Sequence, residues 1–315
     1  MPAVVTITFN PCIDKSIHVD TFIPEKKMHC DSPRLEPGGG GINVARGISR
    51  LGGDVAAIFF DGGEHGRLLT NLLWNENIPA IPIHINENTR ESWMIYEEST
   101  NRQYRFIMPG PMVRDGEWKE FLSELEALKA VEYIVISGSM PLGVPPNIFE
   151  LLGDIALQKK AKLIVDSSGE SLHAALRKGV FMIKPNQNEL ASLVATFGLD
   201  DKSVRSTAKD IIARDYCEIV VVSLGASGAI LVSKDRDIVV NPPNVKARST
   251  VGAGDSMVAG LIQSFISGRS LEESIMYGVA CGTAATMNPG TELFHPDDVA
   301  ALYQRIQREY INHFK

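Results

Sequence analysis

The chain has 315 residues, 44% of them hydrophobic and 22% charged, with a net charge of −7. That length holds one large α/β domain or about two average ones, and the acidic balance argues against a general nucleic-acid binder, which needs a basic surface. Four cysteines without CxxC spacing and seven dispersed histidines argue against a disulfide framework or a His-based metal site. No apolar run reaches a membrane-spanning length and no signal-peptide pattern opens the chain, so a cytoplasmic protein with no membrane partner is expected.

Val4–Phe9 reads as a buried strand stopped by Asn10-Pro11, with Asp14 just past its carboxyl end, where open α/β sheets place ligands. Ser16–Ile23 then alternates, with Ile17, Val19 and Ile23 opposite His18 and Asp20, as a half-buried antiparallel strand does. Gly38 to Gly41 are four consecutive glycines, entropically costly but permitting close approach of backbone to a ligand. A helix follows to Leu51. From Val55 strands and helices alternate: strand Val55–Phe60 and a helix about Glu64–Asn75, strand Tyr133–Ser137 and helix Pro146–Lys159, strand Leu163–Val165 and helix Glu170–Arg177. Phe181–Ile183, helices Asn188–Phe197 and Ser203–Asp215, strands Ile219–Ser223, Ala229–Ser233 and Ile238–Val240 come next. Helices Gly254–Ser267, Leu271–Met287 and Pro296 to about His313 close the chain. Continuous runs such as Ile134-Val-Ile136 belong to a mainly parallel sheet covered on both faces. The fold class expected is α/β, doubly wound, with helices on both faces. Residues 1–14, 37–79 and 109–315 would form the main domain, and the β-rich pieces 15–36 and 80–108 a small inserted lid.

The strands end in Asn10 and Asp14, Asp61-Gly62-Gly63, Ser137-Gly138-Ser139, Asp166-Ser167-Ser168, Lys184-Pro185-Asn186 and Ser223-Leu224-Gly225. In a parallel sheet these ends share one edge, and together they describe a cleft better than a set of ordinary turns. Asn186 and Glu189, three apart at a helix start, suit either a capping box or a site where a carboxylate holds waters on Mg²⁺ beside phosphates, and both readings stand. Arg90 and Lys27 lie in the inserted pieces, where a lid facing an anion cleft would use them. Ser249-Thr-Val-Gly-Ala-Gly-Asp-Ser256 is a glycine-bearing loop running into a helix, an anion site by virtue of its free N–H groups. Asp255 in that first turn would repel a bare phosphate. It makes sense either as an acid that complements the helix dipole or as the base for a hydroxyl beside a phosphoryl group in transfer, and the eight residues alone leave both open.

These residues together resemble the ribokinase-like (PfkB) carbohydrate kinases over nearly the whole chain. Both signatures of that family are present, Gly38-Gly-Gly-Gly-Ile-Asn-Val-Ala45 and Ser249–Ser256. Thr8-Phe-Asn-Pro-Cys-Ile-Asp14 and Ser137-Gly-Ser-Met-Pro-Leu-Gly143 are similar to the phosphosugar branch. Gly40 stands where 1-phosphofructokinases and tagatose-6-phosphate kinases carry Lys. With Gln103-Tyr-Arg-Phe106 and Asp166-Ser-Ser-Gly-Glu170, it resembles the minor bacterial 6-phosphofructokinases instead.

The resemblance implies ATP-dependent phosphorylation of a ketohexose phosphate, fructose 6-phosphate first, with tagatose 6-phosphate or fructose 1-phosphate as alternatives. A non-catalytic regulator binding sugar phosphate or nucleotide would dispense with Asp255. The implied roles are general base for Asp255, anion hole for the N–H groups of Gly252, Ala253 and Gly254, and sugar-hydroxyl binding for Asp14, Gly39 and Asn43. Lys27 and Arg90 would hold the sugar phosphate with Ser139 nearby, while Lys184, Asn186, Ser223, Gly225, Gly228 and Thr283 would line the ATP site. Glu189 would organise Mg²⁺ through water, and Ser249, Val251, Ala285, Asn288 and Gly290 match a monovalent-cation (K⁺) segment. A homodimer through the lid is also expected. It would cover an outward face drawn from Ile17, Val19, Trp93, Ile95, Tyr104 and Phe106.

Overall fold

Val4–Thr8 (β1) is buried at every residue, the mark of a strand covered on both faces. The computed structural model describes residues 2–197 and 203–313. After β1 come Cys12–Val19 (β2), Arg34–Gly38 (β3), helix Gly40–Arg50 (α1), Val55–Gly62 (β4), helix Gly63–Asn75 (α2) and Ala80–Ile85 (β5). Arg90–Glu97 (β6) and Arg102–Ile107 (β7) precede Asp115–Ala127 (α3), Tyr133–Ser137 (β8), Ile148–Lys159 (α4), Lys162–Asp166 (β9), Gly169–Leu176 (α5) and Val180–Ile183 (β10). Gln187–Phe197 (α6), Val204–Ala213 (α7), Cys217–Ser223 (β11), Ala229–Ser233 (β12), Asp237–Val240 (β13), Ala253–Ile266 (α8), Leu271–Thr286 (α9) and Pro296–His313 (α10) complete it.

The large sheet has the order β13-β12-β11-β10-β9-β8-β1-β4-β5. From β1 the chain builds outward through β4 and β5, then returns to the other side of β1 and builds outward through β8, β9, β10 and β11, all parallel. Such a reversal opens a crevice at the carboxyl ends of β1 and β8. Side chains alternate across the sheet: Val4 and Val135 join one core with α1, α8 and α9, while Val5 and Ile134 join the other with α3, α4 and α5. Each such fully buried aliphatic side chain contributes about 1.5–3 kcal/mol. The crevice is therefore built on a rigid base.

The small sheet has the order β3-β2-β6-β7. Two boundaries differ from the sequence expectation. Ala80–Ile85 pairs with β4 in the large sheet, Ala57 against Ala80, so the second piece of the small sheet begins at Arg90. Alternation of Ile81, Ile83 and Ile85 announces a strand without saying which sheet it joins. The small sheet also takes in Cys12–Asp14, so Asp14 sits on the lid, opposite Glu36 on one side and Ser92 on the other. α3 has no counterpart in the sequence reading. Its buried residues are few, Phe121, Leu122 and Leu125, and its first turn is closed by the Glu117 carboxylate accepting from Arg114 N–H at 2.6 Å.

On the outward face of the lid, Ile17 and Val19 are already buried within the protomer, contrary to expectation, while Trp93, Ile95 and Tyr104 are half-buried and Phe106 is exposed. The loop after β2 folds back over this face, Phe22 stacking on Tyr104 at 4.9 Å. All four cysteines are free, and among the described residues no helix is long and apolar enough to cross a membrane.

Candidate active site

Asp255 stands in the first turn of α8, whose N-cap Gly252 adopts a left-handed backbone, φ 73°. The first intrahelical bond runs from Ser256 N–H to Gly252 O at 2.8 Å, so the Gly254 and Asp255 N–H groups lack an intrahelical acceptor, while Ala253 N–H makes a long bond to Thr250 O at 3.4 Å. Two donors fix the carboxylate: Asn43 Nδ2 at 3.0 Å and Ser137 Oγ at 3.2 Å. Asn43 comes from α1 and Ser137 from the end of β8, so three separate elements meet on one side chain. Burial and the neighbouring Asp166 raise the Asp255 pKa to about 6, against the pull of Asn43, Lys184 and Ser137. The group lines a cleft of about 570 Å³. Gly40 allows this junction: a Cβ there would stand 2.3 Å from Ser137 Oγ and 2.8 Å from Gly138 N.

On the lid side the cleft is lined by Asp14, Arg90, Ser92, Arg105 and Ile107, facing Gly39, Asn43, Ser139 and Thr250. Asp14 lies against Gly38, where a Cβ would approach its Oδ2 to 2.4 Å, and it accepts from Cys12 Sγ at 3.2 Å. Burial raises its pKa, moderated by that thiol and by the charges of Arg105 and Arg90. The Arg90 guanidinium donates to Asn10 Oδ1 at 2.9 Å and Asn10 O at 3.0 Å, and Asn10 Nδ2 donates to Ser139 Oγ at 3.0 Å. Arg90, Asn10 and Ser139 thus form one polar rim across the mouth. Lys27 lies elsewhere, exposed on the loop between β2 and β3 and outside the cleft lining.

Lys184, at the end of β10, is buried and pairs with Asp166 at 3.0 Å. Burial opposes its charge, but Asp166, Asp255 and Glu189 outweigh that, and its pKa is raised. A Cβ on Gly254 would lie 3.4 Å from Lys184 Nζ, so the ammonium sits beside the start of α8. Asn186 and Glu189 close a reciprocal capping box: Asn186 N–H donates to Glu189 Oε2 at 2.8 Å and Glu189 N–H to Asn186 Oδ1 at 2.9 Å. Glu189 nevertheless lines the cleft. Asn186 bridges to Ser223, and beyond it Gly225 and Gly228 form a tight turn, with φ 59° and 93°. Thr283 is on α9, its hydroxyl donating to Val279 O within its own helix.

The cation segment is a pair of adjoining loops. Arg248 N–H and Ser249 N–H donate to Thr286 O, which sets residues 249–251 beside 285–290. Asn288 Nδ2 donates to Leu293 O at 2.8 Å, Ser249 Oγ accepts from Val251 N–H, and Gly290 has φ 60°. Among the described residues no cluster of three or more His, Cys, Asp or Glu side chains is placed to hold a metal. Carbonyl, hydroxyl and amide oxygens are what remains, and they suit a hard monovalent ion. Arg105 and Asp166, the ion-pair partner of Lys184, are the participants the sequence did not single out for roles. Arg105 carried a signal, two positions after Gln103 on an alternating strand.

The model of the pfkB family carbohydrate kinases matches residues 7–298. The ATP-dependent 6-phosphofructokinase isozyme 2 of Escherichia coli K12 is 41% identical over 309 residues, 98% of this chain and 100% of that one. Its counterpart in Mycobacterium tuberculosis is 38% identical over 304 residues, 96% of this chain and 89% of that one. Relatives named 1-phosphofructokinase, D-tagatose-1-phosphate kinase and tagatose-6-phosphate kinase are 28–31% identical. The crystal structure of phosphofructokinase-2 from E. coli with substrates and products superposes with a TM-score of 0.92 at 40% identity, covering 97% of this chain and 99% of that one. The same E. coli protein has been solved with potassium and in a tetrameric inhibited form.

Proposed function

The chain belongs to the pfkB family of carbohydrate kinases, and on that premise we propose how its cleft works. It is an ATP-dependent kinase of a ketohexose phosphate, fructose 6-phosphate, which it converts to fructose 1,6-bisphosphate. One observation carries the mechanism: a carboxylate with a raised pKa, fixed by two donors, at the N-terminus of a helix beside a buried lysine.

The sugar binds between lid and crevice, its hydroxyls on Asp14, Gly39 and Asn43 and its phosphate toward Arg90, Arg105 and Ser139. Asp255 takes the proton of the 1-hydroxyl as that oxygen forms a bond to the γ-phosphorus and the bond to ADP breaks. A base with a pKa near 6 is mostly ionised at neutral pH yet still basic enough to accept the proton. The N–H groups of Gly252, Ala253 and Gly254 and the Lys184 ammonium take up the charge on the transferring group. Asn186, Ser223, Gly225, Gly228 and Thr283 line the nucleotide's path along the strand ends toward α9. Mg²⁺, when bound with ATP, neutralises phosphate charge. Glu189, which lines the cleft and acts on Lys184, would hold that ion through water. Ser249, Val251, Ala285, Asn288 and Gly290 would hold K⁺ behind the anion hole.

The substrate choice rests on Gly40 as well as on identity. With Ser137 and the Gly138 backbone closed on it, position 40 has no room for a side chain, in keeping with the four-glycine form of the motif. Two protomers pair through the outward face of the lid, where Trp93 and Phe106 stand side by side on neighbouring strands. Free thiols on all four cysteines suit a reducing, cytoplasmic compartment. A coupled ADP-release assay across fructose 6-phosphate, tagatose 6-phosphate, fructose 1-phosphate and fructose tests the reading. Fructose 6-phosphate should give the highest kcat/KM, and preference for any of the others overturns the assignment.

A further inference from the structure

A buried charge cluster centres on Arg46, three residues after Asn43 on α1. Arg46, 1% exposed, donates through Nε to Glu76 at 3.0 Å and through NH1 to Pro37 O and Thr291 O at 3.2 Å. Its NH2 reaches Glu36 Oε1 at 3.4 Å, and the other Glu36 oxygen accepts from Thr291 Oγ1 at 2.8 Å. Arg50 donates to Glu292 O and Phe294 O, and Arg34 on β3 to Glu292 Oε2 at 2.8 Å. Every contact on the loop side falls within residues 291–294. A third lid contact is nearby: a Cβ on Gly290 would come 3.1 Å from Ser16 Oγ on β2.

The loop so gripped touches the chemistry at one point. Leu293 is buried and holds a left-handed backbone, φ 64°, an unfavourable state for a bulky residue. Its Cδ2 lies where a Cβ on Gly252 would come within 2.5 Å, so its side chain is seated directly against the N-cap of α8. Glu36 is also the cross-strand partner of Asp14. A continuous path of contacts therefore runs from the sugar-facing lid, through Glu36, Thr291 and Leu293, to the helix end that faces the phosphoryl group.

We propose that Glu36, Arg46 and Thr291 are positioning residues for phosphoryl transfer: they tie the lid strand β3 to loop 288–294, and Leu293 on that loop sets Gly252 and the anion hole in register with the lid. The proposal rests on the kinase reading above. It predicts that loosening the tie harms the transition state and spares ground-state binding, because the anion hole acts on charge that develops during transfer.

Thr291→Val deletes the hydroxyl given to Glu36 while keeping the side-chain volume, and Thr291→Ser keeps the hydroxyl. The expected result for Thr291→Val is a fall in kcat of about tenfold with both KM values within about twofold, and an equal loss of affinity for ADP with aluminium fluoride and phosphosugar, while ATP affinity holds. Thr291→Ser should restore both. Should Thr291→Val fail to fold, Leu293→Ala, which removes an apolar side chain and none of the charged ones, should give the same pattern. Equal losses of ATP and aluminium-fluoride affinity, or a kcat and analogue affinity both within about twofold of wild type, overturn the proposal. The phosphosugar used is whichever one wild type phosphorylates, so a wrong substrate assignment appears in wild type alone and leaves this comparison intact.

Discussion

Replacing Asp255 by Asn should cost activity and add stability. The substitution keeps the shape of the side chain and removes the oxygen that accepts a proton, so kcat should fall by about 10²–10⁴-fold, the usual span for a general base. The stability effect follows from the raised pKa. Folding lifts Asp255 from an ordinary 3.8 to about 6, so the folded state holds this proton more tightly than the unfolded chain does. Its contribution is then fully present below the unfolded value and is lost as pH rises through about 6. At pH 8 wild type carries an ionised carboxylate in a poorly hydrated place. Roughly two pK units correspond to at most about 3 kcal/mol, and access of water through the cleft reduces this to about 1–2 kcal/mol. The new amide also finds a partner, because Asn43 Oδ1 is buried without one and a flip of the Asn43 amide presents it. Urea unfolding of both proteins between pH 5 and 8, beside a coupled ADP-release assay, measures both effects. The stability advantage of Asp255→Asn should be greatest at pH 8 and shrink toward pH 5, and wild-type kcat/KM should fall below about pH 6. A variant with turnover within about threefold of wild type, or one whose advantage grows as pH falls, refutes the reasoning.

Arg105→Ala should raise the KM for the phosphosugar by about 10–100-fold with that for ATP nearly unchanged, since a charged hydrogen bond contributes about 1.5–3 kcal/mol. Arg90→Ala should do the same and also lower the melting temperature, because it strips Asn10 of two hydrogen bonds; matched melting temperatures would contradict that difference. Glu189→Gln keeps an acceptor for the Asn186 N–H, so the fold should hold while the Mg²⁺ concentration for half-maximal rate rises; an unchanged Mg²⁺ dependence leaves Glu189 as a cap alone. Trp93→Asp with Phe106→Asp should reduce the sedimentation mass from twice the protomer's 34.4 kDa to that value, and a mass indifferent to both charges places the interface elsewhere.

The strands of the large sheet were legible because a parallel sheet covered on both faces forces continuous apolar runs, as in Ile134–Ile136 and Ile219–Val222. The glycine loop at 38–41 and the start of α8 were legible because their chemistry is local in sequence. What depends on pairing was not. Ala80–Ile85 alternates as well for one sheet as for the other, and only the register with β4 assigns it. The Lys184–Asp166 pair and the Arg46 cluster join residues of different elements, and nothing local announces a partner across 18, 30 or 245 positions. Lys27, a cation between two lid strands, lies exposed on its loop and outside the cleft lining of its own protomer. Ile17 and Val19 were placed on the correct face, but a returning loop from their own protomer accounts for that face in part.

The central claim is transfer of a phosphoryl group from ATP to the 1-hydroxyl of fructose 6-phosphate with Asp255 as base. Phosphorus NMR of the product mixture, with proton coupling retained, tests it most directly. Wild type with ATP, Mg²⁺ and fructose 6-phosphate should yield ADP and a new phosphate ester coupled to the two C1 protons, stoichiometrically, and Asp255→Asn should yield almost none. Release of inorganic phosphate without a new ester, or an ester on any other carbon, would contradict the account.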